Sequence, residues 1–180
     1  DAELFKDSPF TAMKALKDWG GDGVFEQGLG NIKNIDEFFR YLFAHILFKW
    51  REGIEKDAKT AVVTDWEKEH VDPKYLDELS SDGPKEKIYG CTLMAFTRTA
   101  DYWFAFQIGD GKCLSFGSQA LGQEPIPWDD DCFLNKTTSL CDSEPLERFR
   151  YCYQGDGGFP AAIFLGSDGL DDSYPGEHLE

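Results

Sequence analysis

Residues 89–116 read YGCTLMAFTRTADYWFAFQIGDGKCLSF, and this stretch decides the fold class. Three segments within it, 89–97 (YGCTLMAFT), 102–108 (YWFAFQI) and 113–116 (CLSF), are rich in β-branched and aromatic residues. Such side chains fit a pleated, half-buried surface, so each segment is expected to be a strand. The breaks between them, 98–101 and 109–111, are short enough for hairpin turns, which makes the expected sheet antiparallel. Further on, 119–131 is a loop with two prolines, and 137–141 and 148–154 are shorter strand candidates. Residues 161–166 (AAIFLG) form a continuous apolar run bounded by proline and glycine, which reads as a strand buried on both faces.

Upstream of residue 89 the apolar period lengthens to that of a helix. Pro9 after Ser8 opens a helix that carries Phe10, Met13 and Leu16 towards Trp19, and Gly20-Gly21-Asp22-Gly23 ends it. Asn34 is a good N-cap for the strongest helix of the chain, with Asp36 and Glu37 in its first turn. Ile35, Phe38, Phe39, Leu42, Ile46 and Trp50 recur at three- and four-residue spacing, and Phe43 and Leu47 widen the stripe. That stripe is core rather than a cofactor box. Residues 56–69 are mixed, 71–79 hold one short helix after Asp72-Pro73, and 80–87 form a polar loop. Helices first and antiparallel strands later predict an α+β chain. We expect one domain over 1–180, mainly helical in 1–85 and mainly strand in 86–180.

Composition narrows the function. The 180 residues carry 18 Lys and Arg against 34 Asp and Glu, a net charge of −16. A chain so acidic is a poor match for a nucleic-acid backbone. No run of 18 or more apolar residues occurs, so no membrane-spanning helix is expected. The five cysteines include no CxxC spacing, which removes zinc ribbons and an evident disulfide framework. They read as thiols in a reducing compartment, which predicts a cytoplasmic protein. The chain starts at Asp1 without a Met or a visible signal peptide, and we expect it to be a portion of a longer encoded protein.

The acidity is concentrated: residues 101–180 hold 15 acids against Lys112, Lys136, Arg148 and Arg150. Within that acidic stretch, a pair of turns each place an aspartate beside glycine after an apolar run. One is Ile108-Gly109-Asp110-Gly111, and the other is Leu165-Gly166-Ser167-Asp168-Gly169-Leu170-Asp171-Asp172. A helical turn starting at Asp168 would put Asp168 and Asp172 on one face. Carboxylates at strand ends, with glycine letting the backbone come close, suit a hard divalent cation such as Mg²⁺ or Mn²⁺. Asp-Gly is also an ordinary turn dipeptide, so each motif alone reads more simply as a turn.

In order, Gly90-Cys91-Thr92-Leu93, a strand, Ile108-Gly109-Asp110-Gly111 and the late Phe164-Leu165-Gly166-Ser167-Asp168-Gly169-Leu170-Asp171-Asp172 resemble the metal-dependent protein phosphatases of type 2C. The resemblance implies a four-layer α-β-β-α sandwich of two antiparallel sheets, with helices 8–19 and 34–57 packing on one sheet. It implies hydrolysis of phosphoserine and phosphothreonine in proteins, a phosphomonoesterase reaction by a metal-activated water, with two to three Mg²⁺ or Mn²⁺ ions. No side chain is then the catalytic nucleophile. Asp168, with Gly169 of the same motif, corresponds to the shared ligand of the metal pair. On the same resemblance, Asp110 and Asp172 with Asp168 resemble the ligands of a third, weaker metal. The partner implied is a phosphoprotein, with no nucleic acid and no membrane.

The chain departs from the family pattern in several places. An early strand ending in a bridging Asp-Gly, an early phosphate-binding arginine and a late Asp-Asn motif are not found, and we expect the domain to be incomplete at both ends. The usual Ser and Arg of the "GDS-R" turn are replaced in Gly109-Asp110-Gly111-Lys112. These departures raise the alternative of a catalytically impaired pseudophosphatase that binds or regulates.

Other candidates read as structure. Asp129-Asp130-Asp131 lacks the spacing of a calcium loop and is expected to be a solvated acidic loop. Gly155-Asp156-Gly157-Gly158 lacks a phosphate-loop Lys and reads as a turn. His45 lies inside the aromatic helix and reads as packed or half-exposed rather than a ligand. His70 and His178 lie in polar segments with no partner in sequence, and Ser139, Ser167 and the cysteines show no triad. Asn135-Lys136-Thr137 matches the glycosylation triplet without a secretory context.

Overall fold

A computed structural model of the chain describes residues 33–60, 62, 64–75, 86–118, 122–133, 136–155 and 158–169. The expected helix over 8–19 and the turn from Leu170 to Asp172 lie outside the described residues.

Helix α1, Ile35–Ala58, runs for 24 residues. Asn34 caps it from an extended backbone, its side chain accepting the Glu37 N–H, while Asp36 and Glu37 meet the positive end of the helix dipole. The buried stripe is Phe38, Phe39, Leu42, Phe43, Leu47 and Ile54. A second helix, α2, spans Asp65–His70 behind a Thr64–Glu67 capping box. The short helix expected within 71–79 is a single 3₁₀ turn, Pro73–Tyr75, among the described residues of that stretch. No described helix is long and apolar enough to cross a membrane.

Six strands follow. They are β1 (Leu93–Arg98), β2 (Trp103–Ile108), β3 (Lys112–Phe116), β4 (Gly122–Gln123), β5 (Arg150–Gln154) and β6 (Ala162–Gly166). They form two antiparallel three-stranded sheets, ordered β1-β2-β5 and β4-β3-β6. The architecture is α+β, as the sequence predicts.

Strand β2 sits between layers. Alternate side chains leave a strand on opposite faces. Phe104, Phe106 and Ile108 pack with Tyr102 against α1, while Trp103 and Ala105 pack against Cys113 of β3 and Ile126. All six residues of β2 are buried. The described residues thus supply helix, first sheet and second sheet, three of the four layers of the expected sandwich.

The helix-side core is largely aromatic. Phe39 lies 3.9 Å from the Tyr151 ring in a stacked pair and 5.3 Å from Phe104 edge to face; Phe43 stacks on Phe149 at 4.3 Å. Offset and edge-to-face geometries suit the ring quadrupoles and add to the area buried. The Tyr151 hydroxyl donates to the Asp36 carboxylate and ties β5 to the start of α1. Burial and that carboxylate together push the Tyr151 phenol well above its usual pKa.

Several expectations are corrected. The break at 98–101 is a hairpin, but 109–111 is not: β2 and β3 belong to different sheets, and the chain crosses between layers there. The first strand begins at Leu93, because Glu86–Tyr89 form a 3₁₀ turn. Residues 137–141 are no strand: an isolated bridge between Phe133 and Lys136 precedes the segment, which then turns. Strand β6 is not buried on both faces, for it lies at a sheet edge with Phe164 and Leu165 each 40% exposed.

Candidate metal centre

The geometry of the site follows from the crossover. Gly109 takes a φ of +110°, a region that L side chains rarely adopt, and this lets the chain leave the first sheet sharply enough to enter the second. Gly111 is needed for space: a Cβ there would stand 2.9 Å from the carbonyl oxygen of Gly166. Close approach at Gly166 matters because the β3–β6 ladder pairs Lys112 with Gly166 at its end. The chains running out from that pair carry Asp110 on one side and Asp168 on the other. Both aspartates therefore emerge at one end of the second sheet.

Asp110 is half-buried and Asp168 is exposed. The Gly169 N–H donates to Asp168 Oδ1 at 2.9 Å, which holds the carboxylate at the start of its turn. Two carboxylates without nitrogen or sulfur donors suit a hard divalent cation. Among the described residues, no group of three or more His, Cys, Asp or Glu side chains could hold a metal ion. Asp172, the third expected ligand, lies outside them.

The turn between Ile108 and Lys112 is gripped from several directions. The Gly109 N–H donates to Thr138 Oγ1 at 3.0 Å, and the Thr138 hydroxyl donates to Asp129 Oδ2 at 3.0 Å. Arg150 donates through Nη2 to the Gly109 carbonyl and through Nη1 to the Pro127 carbonyl at 2.9 Å. Its Nε lies 3.7 Å from Asp129 Oδ2, a largely buried ion pair. Gln107 Nε2 donates to the Gly111 carbonyl at 3.1 Å and reaches that of Gly109 at 3.4 Å. Burial presses the Arg150 pKa downward, and the Asp129 charge works against that. A guanidinium stays protonated regardless.

The family model described as Protein phosphatase 2C matches residues 13–179. The chain belongs to the protein phosphatase 2C family. Neither the comparison with curated proteins nor that with solved structures returned a significant match.

Within this phosphatase 2C-family chain, the structure brings two of the sequence-predicted residues, Asp110 and Asp168, to the same sheet end, with Gly169 beside Asp168. Lys112, which stands where the family carries arginine, pairs with Glu124 at 3.1 Å and lies 5.7 Å from the Trp128 ring centre. The Gly90-Cys91-Thr92 segment is fastened to the same region, with the Cys91 carbonyl accepting from the Leu140 N–H at 3.0 Å and Ser139 Oγ at 3.1 Å.

One expectation about this region is overturned. Asp129 does not lie in a solvated acidic loop: it is 8% exposed and serves as the acceptor of the network. Its neighbour Asp130 is exposed, and Asp131 pairs with Arg148. Thr138 and Arg150 were not singled out by the sequence at all. The signal that could have found them was Arg150, one of four bases after residue 100, set between Phe149 and Tyr151 in a strand. A charge in an apolar strand calls for a buried counter-charge.

Proposed function

We propose that this chain forms one phosphatase-like domain over 1–180 and hydrolyses phosphoserine and phosphothreonine in proteins with Mg²⁺ or Mn²⁺. The observation that carries the reading is the β3–β6 register, which sends Asp110 and Asp168 out at one sheet end in a chain of the protein phosphatase 2C family. Asp168, Asp110 and Asp172 would be the metal-holding carboxylates, with Gly169 shaping the turn. A bound divalent metal pair supplies Lewis-acid charge to the phosphoryl oxygens and acidifies the attacking water. The chain's own role is to present hard oxygen donors from two rigid strand ends and to keep their spacing fixed. Free Cys91, Cys113, Cys132, Cys141 and Cys152 support a reducing, cytoplasmic setting.

A second reading has one observation in its favour. Lys112 is engaged with Glu124 and Trp128, and Gly111 offers no hydroxyl where the family has Ser. That favours a pseudophosphatase which binds phosphoproteins without turnover.

The test is phosphate release from a phosphothreonine peptide with Mn²⁺ and then with EDTA. The expected result is Mn²⁺-dependent release that is abolished in Asp168→Asn. Asp168 is exposed and its bond is to the next residue, so the variant should keep the wild-type circular dichroism. No release from a folded protein would refute the enzyme, and retained capture of the phosphopeptide would then favour the pseudophosphatase.

A further inference from the structure

Among the described residues, three polar or charged side chains are buried below a tenth of their surface: Gln107 at 5%, Asp129 at 8% and Thr138 at 3%. Gln107 and Thr138 hydrogen-bond residues 109–111 directly, and Asp129 acts on them through Thr138. Arg150, nearly as buried, is the fourth member and grips the same turn. These residues come from distant regions of the chain, β2, the 122–133 loop, the 136–149 segment and β5. Burying polar groups costs free energy unless every one is paired, so a core that needed stability alone would use apolar residues here.

The pairing is directional. Thr138 has one proton to give, and Asp129 takes it, so its oxygen is left to accept from the Gly109 N–H; the Cys132 thiol is 3.6 Å away as a weak further partner. Gly109 is thus held at its N–H by Thr138 and at its carbonyl by Arg150, while Gln107 holds the carbonyl of Gly111 on the far side of Asp110. The peptide unit that leads into the Asp110 Cα is held at its carbonyl, and the units one step further out on either side, 108–109 and 111–112, are held as well. The Arg150 Nε is buried without a hydrogen-bond partner among the described residues and answers to Asp129 by charge, at 3.7 Å.

We propose that Thr138, Asp129, Arg150 and Gln107 are positioning residues for Asp110, setting divalent-metal affinity by fixing the 109–111 turn against the Asp168 turn. The inference rests on the reading of Asp110 and Asp168 as metal-holding residues. Outer groups that orient a ligand commonly change metal affinity by about 10- to 100-fold when removed.

The experiment is direct Mn²⁺ binding to the full chain, followed by the electron paramagnetic resonance signal of free Mn²⁺, beside thermal melts of the same samples without metal. Thr138→Val keeps the shape and removes the hydroxyl; Thr138→Ser keeps the hydroxyl. Gln107→Met removes the amide donors and leaves the Thr138–Asp129 bond in place, so it serves if Thr138→Val does not fold. The expected result is about a tenfold weaker Mn²⁺ Kd for Thr138→Val or Gln107→Met, with Thr138→Ser within about twofold of wild type. Wild-type Mn²⁺ affinity in Thr138→Val and Gln107→Met, with only their melting temperatures lowered, would overturn the positioning role while Asp110→Asn still weakens binding. Loss of Mn²⁺ binding by wild type itself would instead remove the metal reading, and the positioning role with it.

Discussion

Replacing Gly109 by alanine tests the crossover on which the candidate site depends. Two separate costs are expected. The first is conformational: the residue sits at φ +110°, and holding an L side chain in such a region costs about 1–3 kcal/mol. The second is steric. An alanine methyl would stand 2.5 Å from Thr92 Cγ2 and 2.6 Å from Thr92 Cβ, well inside contact distance. Relief requires the 90–92 segment to shift, and overpacking of this kind costs about 1–3 kcal/mol. Together they predict a loss of about 4 kcal/mol, a large share of the roughly 5–15 kcal/mol by which domains are stable. Urea unfolding followed by tryptophan fluorescence reads the loss. The conformational and steric costs separate in a Thr92→Gly background, which removes both colliding atoms. There Gly109→Ala should cost only about 1–3 kcal/mol, the conformational share. A loss under about 0.5 kcal/mol in the wild-type background would show that the turn does not take this backbone. An equal loss in both backgrounds would show that Thr92 does not press on Gly109.

Two further outcomes are expected. Phe39→Ala removes a fully buried ring that meets Phe38, Phe104 and Tyr151, and should lower stability by about 3–5 kcal/mol in urea unfolding, whereas Phe39→Leu should lose markedly less. Burial between the sheets pushes the Cys113 thiol from 9.0 to about 11, so the folded state keeps a proton that the unfolded state has lost, and stability should fall as pH rises from about 9 to 11 by up to about 3 kcal/mol. Unfolding curves at both ends of that window should show a smaller fall for Cys113→Val than for wild type.

What could be read from the sequence was local. The first helix was legible because Asn34, the acidic first turn and the aromatic spacing all say the same thing. The strands β1, β2, β3 and β5 were legible from composition. The crossover at 109–111 was not, because a three-residue break serves a hairpin and a change of layer equally well. A hint lay in β2 itself, where Trp103-Phe104-Ala105-Phe106 has no polar alternation and so needs cover on both faces. The same argument misled at 161–166, where an equally apolar run lies at a sheet edge. Sequence cannot say which neighbours arrive to cover a strand. Of the candidate site, the two aspartates were visible through their turn motifs. The groups that grip the first turn were not, since Asp129 looks like its exposed neighbour Asp130, and its partners are 9 and 21 residues further along the chain.

The crossover also explains why the site stands at this place in the fold. Had β2 and β3 formed a hairpin, both flanks of Asp110 would belong to one sheet, and the carboxylate would follow that sheet alone. Instead β2 is hydrogen-bonded to β1 and β5, and β3 to β4 and β6. Gln107 and Arg150 reach the turn from the first sheet, and Asp168 comes from the second. The β3–β6 ladder brings the two aspartates to one sheet end, and the grip on the Asp110 turn from the first sheet depends on how the sheets stack, through Trp103 and Ala105 against Cys113 and Ile126. Packed interiors resist sliding because any displacement opens voids or forces overlaps. A carboxylate on a free loop would be placed by its own backbone, with the mobility that implies. Here the β3–β6 ladder sets the coarse distance, the apolar layer between the sheets keeps the first sheet in place beside it, and the buried polar groups around Gly109 set the orientation. That division of labour accounts for polar side chains being buried where the chain passes from β2 to β3.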